Sequence, residues 1–189
     1  MTISDVEFRI ASVDDAQMLA SVHVTSWRET YAGILPDAML AALSVERRAA
    51  MWDQTLREPA SPGSTVVHLA ELNGEFVGFG SCGAQRTEDL KAKGFGGEIG
   101  AIYVLQAFQR RGIGARLLRT MASDLLSRTF TAASLWVLKD NPVARRFYER
   151  NGGQVICERE DVRSNTVLIE FAYGWADLTQ LSCTAEAFP

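Results

Sequence analysis

Residues 98–121, EIGAIYVLQAFQRRGIGARLLRTM, join an apolar strand to an amphipathic helix through a short turn. The first turn of a helix carries unpaired N–H groups and the positive end of the helix dipole, and glycines before it let a phosphate approach the backbone. Four arginines lie in or just after the turn, and no acidic residue occurs between Glu98 and Asp124. They are Arg110, Arg111, Arg116 and Arg119. The turn is therefore predicted to bind a phosphorylated ligand.

The glycine spacing narrows the kind of phosphate-binding turn. A Walker A loop requires G-x-x-x-x-G-K-[ST], and residues 109–114, QRRGIG, have neither that spacing nor the lysine. The dinucleotide fingerprint G-x-G-x-x-G is matched by Gly112 and Gly114, but Leu117 stands at the third glycine position. The pattern that fits is Q/R-x-x-G-x-G/A after a strand. Taken alone, it is equally compatible with an ordinary strand-to-helix turn whose arginines are solvated.

The composition indicates one globular domain. The chain has 189 residues, 47% of them hydrophobic, and a mean hydropathy of −0.01, which suits a domain with a full core. No apolar run approaches the roughly 18 residues that span a membrane, and MTISDVEFRI lacks the features of a signal peptide. The net charge is −4 and the basic residues cluster at one turn, which argues against a general nucleic-acid binder. We expect a cytoplasmic protein that binds neither nucleic acid nor membranes.

The cysteines and histidines give no sign of a disulfide or a metal. Cys82, Cys157 and Cys183 are widely spaced and form no C-x-x-C pair, which is typical of unpaired thiols in a reducing compartment. His23 and His68 are the two histidines, and neither has a partner at metal-binding spacing. No metal is predicted.

Hydrophobic periodicity predicts the order β-α-α-β-β-β-α-β-α-β-β, which is one mixed α/β domain. Asn73–Gly74 supplies the positive φ of a tight hairpin turn, and Pro36 suits the first turn of the second helix. The strands are predicted at 6–11, 65–72, 75–83, 99–104, 132–138, 154–158 and 165–173, and the two later helices at 112–127 and 143–150. Residues 85–97 are predicted to form a mobile loop. The domain is predicted to cover residues 1–175, and 176–189 are expected to be a loosely docked C-terminal tail.

A second local motif follows the strand after the turn. Residues 141–153 read NPVARRFYERNGG, similar to N-x-x-A-x-x-F-Y-E-x-x-G-F with Gly153 in place of the usual aromatic residue. With both motifs in this order, residues 6–173 resemble the GNAT superfamily of acetyl-CoA-dependent N-acetyltransferases. Gln109 stands where arginine is commoner in that family. Residues 27–36, WRETYAGILP, also resemble a bacterial subgroup whose acceptors are mostly unassigned.

The resemblance implies a fold and a cofactor site. The fold is a single mixed, mostly antiparallel sheet with a central splayed strand pair, flanked by helices. The pantetheine arm of acetyl-CoA would lie in the gap of that pair and bond to the exposed backbone of one strand, as in peptide β-augmentation. Asn141 would contact the arm, although the same side chain is also a plausible helix N-cap before Pro142. The implied cofactor-binding residues are Ile102, Tyr103, Val104, Gln109, Arg110, Arg111, Gly112, Ile113, Gly114, Ala115, Asn141 and Phe147.

The resemblance also implies catalytic roles. The attacking amine must be neutral, yet an alkyl amine has a pKa of about 10 in water, so a base or a water chain to one is useful. Glu98, at the start of the strand, is the candidate base, with an ordinary strand-end carboxylate as the alternative. The Val104 N–H would bind the oxyanion. Tyr148 is the candidate proton donor to the departing thiolate, with a packed tyrosine as the alternative.

The acceptor is the least specified part of the site. Trp27, Tyr31 and residues 85–97 are candidates for lining it, although Trp27 at helical spacing is also typical of a core residue. We expect acetyl transfer from acetyl-CoA to a primary amine, of a small molecule rather than of a protein or peptide, by direct attack in a ternary complex. A non-catalytic acyl-CoA-binding module is the alternative from another class. A homodimer is possible through the C-terminal strands.

Overall fold

A seven-stranded sheet organises the part of the chain that the computed structural model describes, residues 5–163 and 166–182. The spatial order of the strands is β1-β2-β3-β4-β5-β7-β6. Neighbours run antiparallel except β4 and β5, which run parallel. The strands are β1 (Val6–Ile10), β2 (Val66–Leu72), β3 (Glu75–Ala84), β4 (Gly97–Val104), β5 (Ala133–Leu138), β6 (Gln154–Arg163) and β7 (Thr166–Trp175). This is the mixed, mostly antiparallel sheet expected from the sequence.

Helices cover both faces of the sheet. They are α1 (Ala16–Tyr31), α2 (Asp37–Ala41), α3 (Val45–Arg57), α4 (Glu88–Ala92), α5 (Ile113–Ser127), α6 (Pro142–Arg150) and α7 (Leu178–Ser182). On one face, apolar residues of α1 and α3 pack against β2 and β3, with Ala101 and Tyr103 of β4 beside them. On the other, α5, α6 and α7 share a core with β4, β5 and β7, against which Ile102 packs. Alternate residues of β4 therefore serve opposite layers, as the period of a strand requires.

The pairing of β4 with β5 stops after two residues. Gly97 pairs with Ala133 and Glu98 pairs with Ser134, and the register continues no further. β4 is then hydrogen-bonded only to β3, and β5 only to β7. The two strands diverge in the centre of the sheet. The expected splayed pair is confirmed.

Three segments differ from the sequence-based expectation. Residues 85–97 contain α4, because Leu90 is fully buried and anchors a helical turn. The second helix is divided into α2 and α3, since Ser44 caps a new helix by accepting a hydrogen bond from the Arg47 N–H at 3.1 Å. β6 runs to Arg163 rather than ending at residue 158. Asn165, the predicted first residue of the last strand, lies outside the described residues.

The expectation of a loosely docked tail is wrong for residues 176–182. Leu178 and Leu181 of α7 are buried in the core shared with α5. The Leu178 N–H also donates to the Thr131 carbonyl at 2.9 Å. Apolar burial therefore fixes this helix on the domain, whereas residues 183–189 lie outside the described part. Among the described helices, none combines the length and apolar character needed to cross a membrane.

Candidate functional site

A cleft of about 1810 Å³ opens where β4 and β5 separate. Its walls are β4 from Ile99 onward, residues 135–137 of β5, the turn that precedes α5, and α6. It extends towards the C-terminal end of α1, where Thr30 and Tyr31 line it. Residues of both sequence motifs, 109–114 and 141–153, therefore line the cleft. It extends through the sheet from one helical layer towards the other.

The β4 edge presents backbone groups to this cleft. The Leu105 N–H donates to the Val77 carbonyl at 2.9 Å, so Leu105 faces β3. In an antiparallel ladder successive residues point their polar groups to opposite sides, so Ile102 and Val104 face the gap and Tyr103 faces β3. Of the two backbone groups of Val104 that face the gap, the carbonyl already accepts a hydrogen bond from the Gln109 side-chain amide at 2.9 Å. Its N–H points into the gap, as the oxyanion role requires.

The turn before α5 is shaped as an anion cradle. Arg110 and Gly112 have left-handed φ values of +60° and +81°, and Gly112 is the N-cap of α5. The first backbone hydrogen bond into the helix joins the Arg116 N–H to the Gly112 carbonyl at 3.0 Å. The N–H groups of residues 113–115 precede that bond and have no helical acceptor. Left-handed turns that converge N–H groups at a helix N-terminus favour bound anions.

The four arginines of the turn differ in whether they line the cleft and in what they contact. Arg110, Arg111 and Arg119 line the cleft, and Arg116 does not. Arg116 instead stacks over the Phe8 ring, with its guanidinium carbon 4.6 Å from the ring centroid. Arg111 donates to the Ala107 carbonyl at 3.0 Å and therefore also braces the turn. Among the described residues, Arg110 and Arg119 remain as cleft-lining cations that make no hydrogen bond or ring contact with the turn.

The α6 residues of the second motif meet at the cleft wall. Asn141 is buried and its Oδ1 accepts a hydrogen bond from the Ala144 N–H at 3.0 Å, which confirms the helix cap. Its amide group also lines the cleft, and its Nδ2 has no hydrogen bond among the described residues. Phe147 lies beside Gly114, since a Cβ added there would sit 3.5 Å from the phenylalanine ring. One asparagine can thus cap the helix and still donate to a ligand.

Tyr148 is buried, lines the cleft, and packs edge-on against Phe147 and Trp175. Within the described part of the chain, its hydroxyl makes no hydrogen bond. Burial raises the pKa of Tyr148 well above its ordinary value, so the phenol is protonated at neutral pH. A protonated hydroxyl without a protein acceptor, at the wall of a cleft, is available to donate to a ligand.

Glu98 does not line the cleft, and its carboxylate is hydrogen-bonded to Arg86. The Arg86 backbone N–H donates to Oε2 at 2.9 Å and its Nε donates to the same oxygen at 3.0 Å, while its Nη2 binds Oε1. Arg86 itself is largely exposed, and Glu98 is mostly covered. The carboxylate can therefore exchange a proton with the cleft only through water.

Two tyrosines meet at the α1 end of the cleft. The hydroxyls of Tyr31 and Tyr103 lie 3.3 Å apart, and both residues line the cleft. Burial raises the pKa of each phenol. Trp27 does not line the cleft. It packs against Tyr31 with ring centroids 5.0 Å apart, and its indole N–H is buried without a hydrogen-bond partner in the described residues. Trp27 supports Tyr31 from behind.

His23 lies under the same aromatic group but cannot act as a base at neutral pH. Its Nδ1 accepts a hydrogen bond from the Trp52 indole at 3.1 Å, and its ring stacks on Tyr103 with centroids 5.3 Å apart. Burial lowers the pKa of His23 to about 3. The imidazole is therefore a neutral packing ring that fixes the position of Tyr103.

Sequence reasoning missed a buried carboxylate near Tyr31. Glu170 of β7 is 5% exposed and accepts hydrogen bonds from Arg159 at 2.7 and 2.8 Å and from Arg163 at 3.3 Å. The charges of Arg163 and Glu170 both act on Tyr31. Glu170 is the single charged residue of the predicted strand 165–173, NTVLIEFAY, and nothing local signals that it will face inward. A second missed cluster, of His68, Cys82 and Asp124, lies away from the cleft.

Comparisons with known proteins agree with this geometry. Residues 24–153 match the acetyltransferase (GNAT) family. The chain is 33% identical over 176 residues, 93% of its length and 96% of the relative's, to a Bacillus subtilis protein described as uncharacterized N-acetyltransferase YuaI. It is 25% identical over 171 residues, 89% of its length and 98% of the relative's, to spermidine N(1)-acetyltransferase of Thermoplasma acidophilum. Its fold matches PaiA N-acetyltransferase of Thermoplasma acidophilum in complex with coenzyme A, with a TM-score of 0.69, 21% identity, and coverage of 87% and 97% of the two chains.

We expect Gly112→Asp to abolish binding of acetyl-CoA, as measured by calorimetry. The new carboxylate would repel the pyrophosphate, and a side chain at φ +81° would distort the cradle. Gly74→Asp is the matched control, because Gly74 has φ +78° in the β2–β3 turn, away from the cleft. It should impose similar backbone strain and leave affinity unchanged. Unchanged affinity in a folded Gly112→Asp protein would disprove the assignment of this turn.

Proposed function

Because the chain belongs to the GNAT family of acetyltransferases, it is an acetyl-CoA-dependent N-acetyltransferase, and we propose that its acceptor is a primary amine of a small molecule. The observation that carries the acceptor class is the pair of hydroxyls, Tyr31 and Tyr103, that meet inside the protein at one end of the cleft. An enclosed aromatic wall of this kind suits a slender amine better than the surface of a folded protein. A relative named spermidine N(1)-acetyltransferase supports the same acceptor class.

The backbone groups at the gap support the proposed cofactor contacts. The pantetheine arm pairs with the gap-facing groups of Ile102 and Val104, in the manner of an added strand. The pyrophosphate accepts hydrogen bonds from the N–H groups of residues 110–115, at the N-terminus of α5. Arg110 and Arg119 supply positive charge beside it, and the Asn141 amide donates to the arm. Tyr103 takes part through its side chain rather than its backbone.

Acetyl transfer proceeds in a ternary complex by direct attack. The neutral amine adds to the thioester carbonyl, and the resulting oxyanion accepts a hydrogen bond from the Val104 N–H. As the intermediate collapses, the C–S bond breaks and the coenzyme A thiolate leaves. Tyr148 donates its proton to that sulfur, and its phenolate is reprotonated by the proton that the amine nitrogen loses. The products are the acetamide and the free thiol, so the protons balance.

The raised pKa of Tyr148 makes the phenol a weaker acid, but it keeps the O–H in place as a hydrogen-bond donor at neutral pH. A phenol that stays neutral at the working pH presents its proton to the developing thiolate throughout the reaction. Full transfer of the proton becomes easier once the amide has formed, because the amine nitrogen can return a proton to the phenolate. The hydroxyl therefore stabilises the transition state as a hydrogen-bond donor first and as an acid second.

Glu98 is the proposed base, acting through water. Its carboxylate lies at the start of β4, and its two oxygens are held by Arg86. A water chain from the cleft would carry to it the proton that the bound ammonium loses before attack, and the proton that the nitrogen loses after attack goes to the Tyr148 phenolate. Arg86 is largely exposed. Its guanidinium can therefore replace its hydrogen bonds to the carboxylate by hydrogen bonds to water when the carboxylate takes up a proton.

A panel of amines tests the acceptor class. Thiol release from acetyl-CoA would be measured with spermidine, a monoamine and a lysine-containing peptide. We expect kcat/KM for the best small amine to exceed that for the peptide by at least about tenfold. A peptide turned over as well as every small amine would refute the small-molecule proposal and leave acetyl transfer intact. If acetyl-CoA binds but no amine of the panel causes the release of thiol, catalysis itself is refuted.

Tyr148→Phe should reduce the single-turnover rate by about 10²–10⁴-fold with little change in acetyl-CoA affinity, since only the hydroxyl is lost. Tyr173→Phe is the matched control. It removes a hydroxyl that donates to Glu149 at 2.6 Å, and it should lower the melting temperature without slowing the chemical step. A Tyr148→Phe rate within about twofold of wild type under single-turnover conditions would exclude Tyr148 from the mechanism.

Glu98→Gln should lower kcat/KM with little change in acetyl-CoA affinity, because a side-chain amide cannot accept a proton from the amine. Arg86→Gln is the control, because it removes the hydrogen bonds to the carboxylate and keeps the carboxylate itself, so kcat/KM should be retained. An unchanged kcat/KM in Glu98→Gln would show that another group or bulk water is the base.

A further inference from the structure

Three potential metal ligands from three separate elements meet behind the sheet. His68 of β2, Cys82 of β3 and Asp124 of α5 each offer one ligand atom, and these atoms all lie within 4.8 Å of one another. Asp124 Oδ2 is the shared point, 3.7 Å from His68 Nε2 and 3.3 Å from Cys82 Sγ. None of the three lines the coenzyme A cleft. The cluster is therefore separate from the acetyl-transfer site.

His68 is the observation that points to a ligand. The residue is only 5% exposed, and its Nε2 is buried with no hydrogen-bond partner among the described residues. Buried polar atoms are nearly always satisfied, because an unpaired one loses its hydration without compensation. This nitrogen is directed at Asp124 from a distance too long for a hydrogen bond. A cation bound between the two atoms would give this nitrogen the partner it lacks.

The donor set indicates which ion would bind, and two of the three distances are compatible with it. Imidazole nitrogen, thiolate sulfur and carboxylate oxygen together are typical zinc ligands, and three such protein ligands leave a fourth position for water. Zinc bond lengths of about 2.0–2.3 Å in a tetrahedron place neighbouring ligand atoms about 3.3–3.7 Å apart. The two distances at Asp124 Oδ2 fall in that range. We propose that His68, Cys82 and Asp124 form a zinc-binding site that ties α5 to β2 and β3.

In this structure Arg128 is hydrogen-bonded to Asp124 Oδ2, the carboxylate oxygen that would bind zinc. Its Nη2 donates to Asp124 Oδ2 at 2.6 Å and lies 3.4 Å from Cys82 Sγ. Zinc takes the place of this Nη2 group at Oδ2. The guanidinium stays anchored through Nη1, which donates to the Ser64 carbonyl at 2.8 Å. The arginine thus balances the buried carboxylate until the metal arrives.

Binding involves the loss of one proton and no redox change. The S–H bond of Cys82 breaks as the sulfur–zinc bond forms, and the proton passes to the buffer. Because α5 also carries the cradle at its N-terminus, zinc at Asp124 stabilises the helix without touching the cofactor cleft.

The test uses the full chain, without a polyhistidine tag, reduced and stripped of metal. Calorimetry with zinc chloride in two buffers of different ionisation enthalpy should show one site and the release of about one proton per zinc. Cobalt chloride should give a thiolate-to-cobalt charge-transfer band in the near ultraviolet. Zinc should also raise the melting temperature.

Cys82→Ser should abolish the cobalt band and weaken zinc binding by more than about 100-fold, the upper end of the effect of removing an outer-shell partner. Cys157→Ser, which alters the other described free thiol, should leave both unchanged. His68→Gln provides a second variant if Cys82→Ser is unstable, and it should weaken zinc binding similarly. The proposal is overturned if wild type shows no cobalt–thiolate band. It is also overturned if the band depends on Cys157 rather than Cys82.

Discussion

The incomplete pairing of β4 with β5 is the constraint on which the site depends. A strand in the middle of a sheet normally uses its backbone groups on both sides, and unpaired ones are costly when buried. Here the pairing ends after Glu98 and Ser134, and the β5-facing groups of Ile102 and the N–H of Val104 are left for a ligand. The buried Gln85 holds the closed end, because its Nε2 donates to Ser134 Oγ at 2.7 Å and its Oε1 accepts from the Thr87 N–H at 3.0 Å. The two strands are thus paired at one end of the gap and separated at the other.

The open end brings two kinds of unsatisfied N–H group into one cleft. Strand β4 contributes those of its free edge, and α5 contributes those of its first turn. Gln109 connects the two sets, since its amide binds the Val104 carbonyl while its backbone enters the turn. A ligand with an amide-bearing arm and a diphosphate can satisfy both sets at once. In the proposed binding mode, the protein recognises coenzyme A largely through main-chain groups, and the side chains of the cleft adjust orientation and charge.

The features that could be predicted from the sequence are those that depend on interactions between residues close together in the chain. The turn at 109–114, the hairpin at Asn73–Gly74 and the cap at Asn141 depend on residues a few positions apart, and the structure contains all three. Residues 178–182 were misjudged because two buried leucines, Leu178 and Leu181, carry too little pattern for a helix to be recognised. The Arg86 clamp on Glu98, the Tyr31–Tyr103 contact and the inward-facing Glu170 join residues far apart in the chain. No spacing rule predicts such contacts, since they follow from how the layers pack.

This difference separates the two halves of the active site. As proposed above, coenzyme A recognition relies on a strand edge and a helix N-terminus, and many side chains are compatible with either. The acceptor end relies on particular side chains from distant elements: Tyr31 lies 72 residues from its partner Tyr103, and Glu170 comes from β7. A single substitution at that end changes the shape or charge that an amine meets, and it leaves the backbone cradle in place. Relatives with this fold can therefore keep the same acetyl donor while their acceptors differ, because donor binding and acceptor binding depend on different kinds of chemical group.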